Sequence, residues 1–174
     1  MVYIIILLIT LFIASKASLM NENITAVLMI PRHRLWVIIY LIILSLFFGY
    51  KTYQLFKKIK TRFPFQFMIC ISILFMIIGA FSQYNDTGNF TSKLHVYCCM
   101  SSTISFLVYE IIFFQQLKFE NYDLYSSIFP YLKKLIEFLL LLLIVFGRIN
   151  SYIEIIYIIT VMLPLYLLEK NNFL

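Results

Sequence analysis

Residues 63–85 read FPFQFMICISILFMIIGAFSQYN, 23 positions from Phe63 to Asn85 without a formal charge. A run of about 20 apolar residues matches the roughly 30 Å hydrocarbon core of a bilayer, and inside lipid each backbone amide must bond within its own helix. The stretch therefore reads as a membrane-spanning α-helix. Working outward, further apolar blocks recur before and after it. The expected fold is all-α, a polytopic transmembrane helical bundle. It has five mature spans at about 35–50, 63–84, 96–117, 135–147 and 151–168, and six if the N-terminal apolar segment is retained.

Composition leaves no room for a soluble domain beside these spans: 63% of the 174 residues are hydrophobic, and the mean hydropathy is +0.94. Residues 18–174 are expected to form one multi-pass membrane domain. The net charge of +6 does not point to nucleic acid, because the basic residues sit in short segments beside apolar runs. There they orient helices and meet anionic headgroups, which makes the lipid bilayer the first partner and other membrane proteins the second. Three cysteines exclude a secreted disulfide framework in a chain with so little outside the bilayer.

Residues 1–17 carry a 13-residue apolar core, Val2 to Ala14, short for a span and fitting for a signal-peptide h-region. Ser15-Lys16-Ala17 places small residues at the two positions read by a signal peptidase, with Ser18 as the first mature residue. A retained first helix is the alternative. Residues 21–34 read as a polar linker broken by Pro31, and 118–134 as a basic loop interrupted by Pro130.

Orientation follows from two signals. Residues 51–62 hold Lys51, Lys57, Lys58, Lys60 and Arg62 and no acid, and counting Lys and Arg in alternate loops gives nine on that side and five on the other. The basic loop 51–62 is thus expected on the cytoplasmic side, together with the C-terminus. Three glycosylation sequons, at Asn23, Asn85 and Asn89, occur where about one is expected by chance in the whole chain, and all fall on the opposite side. Together these point to a eukaryotic endomembrane or plasma-membrane protein. A mitochondrial inner-membrane complex subunit is the alternative, with the sequons accidental.

Glu110 is the residue most apt to carry function, because an ionisable group inside a span is expensive and faces the bundle interior or a watery cavity. At 100° per residue, His95, Cys99, Ser102 and Thr103 fall within about 100° of arc that includes Glu110, giving one intramembrane polar stripe. It reads either as an ion, proton or polar-ligand path, or as an interhelical hydrogen-bonding seam with an uncharged Glu110 bonded to a neighbouring helix. Arg148 and Glu154 flank an expected outer hairpin and are candidates to pair across it.

His95 and Cys99 at i and i+4 make half of a metal site, without the other half, so no metal and no cofactor are expected. No phosphate loop, His-Glu-x-x-His pattern or nucleophile elbow is present, and no catalytic residues are assigned. The expected role is non-enzymatic: a receptor-like or complex-assembly subunit of the secretory pathway acting through helix-helix contacts. An ion- or proton-coupled transporter or channel using Glu110 is the rival.

Overall fold

The computed structural model describes residues 1–59, 65–82 and 88–173. They form six α-helices and a short 3-10 helix, Ile24–Met29, with no strand among the described residues. The helices are α1 (Val2–Ala14), α2 (Pro31–Lys58), α3 (Phe65–Phe81), α4 (Phe90–Glu120), α5 (Tyr122–Phe146) and α6 (Ser151–Lys170). Three of them, α2, α4 and α6, are long and apolar enough to cross a membrane, while α1 and α3 are apolar but shorter. The chain divides into two compact units, Met1–Val27 with Asn121–Leu174, and Leu28–Glu120.

The central unit contains α2, α3 and α4. Pro31 does not break a linker; it occupies the first turn of α2, where its missing N–H is one of the donors a helix leaves unpaired anyway. The segment expected as a basic loop is helical as far as Lys58. Thr52, Leu55 and Phe56 are buried, so the inward spacing of three and four residues continues beneath the lysines. Lys57 and Lys58 stand in the last turn, where the helix dipole favours cations. Lys60 and Arg62 lie outside the described residues.

An aromatic core sets the register of this unit. Phe56 of α2 stacks on Phe65 of α3, with ring centroids 3.8 Å apart, so the end of α2 meets the start of α3. Phe48 meets Phe106 edge-on at 6.0 Å and Phe56 meets Phe113 at 6.3 Å, so α2 and α4 run parallel, with α3 antiparallel to both. Two glycines allow the close crossings. A side chain at Gly49 would collide with Ile73 of α3, and one at Gly79 would lie 2.5 Å from the Sγ of Cys99 on α4.

In the other unit, α5 and α6 form a helical hairpin and α1 packs on α6, Tyr3 against Tyr166 with centroids 5.8 Å apart. Residues 118–134 are not a loop. After a break at Asn121, whose side chain accepts from Leu124 N–H at 3.1 Å, α5 runs straight through Pro130. Gly147 closes α5 in the left-handed conformation, at φ 61°, which glycine adopts without steric penalty. Asn150 then opens α6 by accepting the N–H of Ile153 at 3.0 Å.

Candidate functional site

The inward face of α4 gathers most of the candidate polar residues, and the structure assigns them unlike roles. His95 is buried, with its Nδ1 2.7 Å from the carbonyl oxygen of Gly79 on α3. Cys99, half-buried, presses on the same glycine. The His95 end of the stripe is thus a helix crossing, made possible by the absent side chain at Gly79 and tied by the imidazole. Thr103 turns back on its own helix and donates to Cys99 O at 2.8 Å, the usual way a mid-helix threonine satisfies its hydroxyl.

Ser102 and Glu110 stand apart. They are 0% and 1% exposed, and neither the hydroxyl of Ser102 nor either carboxylate oxygen of Glu110 has a hydrogen-bond partner among the described residues. The interhelical partner expected for Glu110 is therefore not found there. The aromatic register between α2 and α4 brings buried Thr52 to the level of Glu110, and buried Ser45 to the level of Ser102. Ser45 donates to Ile42 O on its own helix. Beside Glu110, Tyr109 faces the other way, its OH 2.9 Å from the Oγ of Ser72 on α3. Ser72, Ser45 and Thr52 escaped the sequence reading because a lone hydroxyl in an apolar run carries no pattern.

A second polar cluster lies in the unit of α1, α5 and α6. The main chain of residues 19–22 caps α6: Glu22 O accepts the N–H and the hydroxyl of Ser151, each at 2.7 Å, and Leu19 O accepts Tyr152 N–H at 3.3 Å. Arg148 and Glu154 do not pair with each other. Arg148 donates to Met20 O and to Asn21 Oδ1, the latter at 2.8 Å, and the Glu154 carboxylate accepts Ile24 N–H. Each side chain finds main-chain or amide partners in the 18–24 segment, which the spacing of charges along the chain does not reveal.

The sequons differ in setting. Asn23 is half-buried and its Oδ1 accepts Ala26 N–H at 2.8 Å, while Thr25 of the same sequon is buried. Asn89 is exposed and caps α4, its Oδ1 accepting from Ser92 N–H at 3.0 Å and from the Thr91 hydroxyl at 2.9 Å. Asn85 lies outside the described residues. Lys51 is half-buried, whereas Lys57 and Lys58 are exposed. Cys70, Cys98 and Cys99 form no disulfide, and no group of three His, Cys, Asp or Glu side chains is placed to hold a metal among the described residues.

Comparison with known protein families, with curated proteins and with solved structures finds no match.

Proposed function

We propose that this chain is a small multi-pass protein of the secretory pathway that works through helix-helix contacts, as a receptor-like or complex-assembly subunit without catalytic chemistry. The observation that carries this reading is the crossing of α3 and α4, where His95, Gly79 and Cys99 close one end of the polar stripe as a packed seam. A stripe built to conduct would keep those positions open to water. In this reading the Lys57 and Lys58 end of α2 and the C-terminus are cytoplasmic. Asn89, and less favourably Asn23, meet the lumen, and five spans cross the bilayer, or six with α1.

A second reading is favoured by one observation, the burial of Glu110 and Ser102 on one helix face without partners. Two such groups suit an ion or proton pathway.

The two readings separate on Glu110→Gln. In the assembly reading, the full chain purified in mild detergent carries stoichiometric membrane partners. These are kept by Glu110→Gln and lost with Gly79→Leu, which wedges the α3–α4 crossing apart. A Glu110→Gln chain that is folded and fully assembled but inactive in cells would overturn the assembly reading and establish the pathway.

A further inference from the structure

The helices α1, α5 and α6 share one unit, and their polar and apolar surfaces change over within a short distance. On α5 the exposed side chains up to Glu137 are, apart from Pro130, polar, charged or tyrosine, among them Asp123, Ser126, Tyr131, Lys133, Lys134 and Glu137. Lys133 and Glu137 form an exposed ion pair at 3.7 Å. From Phe138 the exposed side chains turn apolar, through Leu140, Leu141, Ile144 and Val145, and end at exposed Arg148. Lys134 and Arg148 are 14 residues apart, about 18 Å of helix as far as Phe146 and then the turn at Gly147.

The neighbouring helices are compatible with that band. In α1 the exposed apolar side chains reach Phe12 and give way to exposed Ser15 and Lys16, and the main chain that follows caps α6 through Leu19 and Glu22. Because α6 is antiparallel to α5 through the turn at Gly147–Asn150, the level of Lys134 falls near Leu163 of α6. Beyond that level α6 is largely sealed by protein: Pro164, Leu165 and Leu168 are buried and the exposed residues are Tyr166 and Lys170, side chains suited to headgroups. By contrast α4 in the other unit has 24 residues between Lys93 and Lys118.

We propose that the unit of α1, α5 and α6 is built for a thinned bilayer, and that its partner is a hydrocarbon layer of about 18 Å, formed by short-chain lipids or by local deformation. A layer of about 30 Å would draw Lys133, Lys134 and Glu137, or Arg148 and the polar 18–24 segment, below the headgroups. Lipids respond to such mismatch by thinning, and proteins by residing in thinner membranes. The inference rests on the proposed membrane-spanning reading and deepens it, because it names the thickness of the hydrocarbon layer that this unit fits.

The test uses the full chain with Lys134→Cys or Arg148→Cys, reconstituted in phosphatidylcholine vesicles with 14:1, 18:1 or 22:1 acyl chains. Labelling by an impermeant thiol reagent is read against the unsubstituted chain. In 14:1 vesicles both cysteines should label rapidly, from opposite faces, and in 22:1 vesicles at least one should slow by about tenfold or more. Equal rates in all three lipids, or fastest labelling at both sites in 22:1, would overturn the thin-layer inference while leaving the spanning reading in place. Labelling of both sites from one face would overturn both.

Discussion

Ser102 and Ser72 are serines in the same unit, both buried, with opposite bonding. The Ser72 hydroxyl pairs with the Tyr109 OH at 2.9 Å, so Ser72→Ala strands a buried phenol and should cost about 1–3 kcal/mol. Ser102 has no partner among the described residues, and Ser102→Ala should be neutral or stabilising by up to about 1 kcal/mol. Thermal unfolding of the detergent-solubilised chain reads both; equal losses would show that the Ser102 hydroxyl is bonded after all. Gly79 gives a sharper case. An added Cβ would lie 2.5 Å from Cys99 Sγ and 3.2 Å from the main-chain nitrogen of Cys99. Gly79→Ala should destabilise by about 1–3 kcal/mol. Cys99→Ala in the same chain should restore part of that loss and not all, because the backbone contact remains. Full restoration would locate the clash in the thiol alone.

At the scale of elements, charge density misleads where packing decides. Lys51, Lys57 and Lys58 read as a loop, yet α2 carries them because Thr52, Leu55 and Phe56 keep its inner face continuous. In α5, Pro130 reads as an interruption, yet Ile128 and Leu132 on either side of it are fully buried, and their packing outweighs the lost hydrogen bond. The turn between α5 and α6 depends on Asn150, buried and bonded through both side-chain atoms, to Ile153 N–H at 3.0 Å and to Met20 O at 3.3 Å. Asn150→Ala should lower stability by about 1–2 kcal/mol, the upper range for loss of an N-cap. Asn150→Asp keeps the cap and loses the donor to Met20, and should cost less. Limited proteolysis within residues 15–23 gives a second readout, since the same asparagine ties that segment to α6. Unchanged cleavage in Asn150→Ala would contradict the tie.

For the whole molecule, the sidedness of the membrane is the measurable quantity. The expected outcome places the basic end of α2 in the cytosol, because short positively charged segments resist translocation. A cysteine at Lys57, exposed at that end, should react with an impermeant reagent only after the membrane is opened. Reaction in intact cells, beyond that of the unsubstituted chain, would reverse the topology. Length and apolar content alone were enough to read an all-helical chain with membrane-compatible helices, because a spanning helix satisfies its own backbone and leaves its signature in consecutive residues. The helical period likewise placed His95, Cys99, Ser102, Thr103 and Glu110 along one face of α4. What each of them meets depends on residues far away in the chain. Gly79 receives His95, Ser72 faces Tyr109, and no described group reaches Glu110. The ties from Arg148 and Glu154 to the 18–24 segment, and the division into two units, are likewise tertiary decisions. Such contacts are set by the register and crossing of helices, which depend on where small side chains let two backbones approach, and no local spacing encodes them.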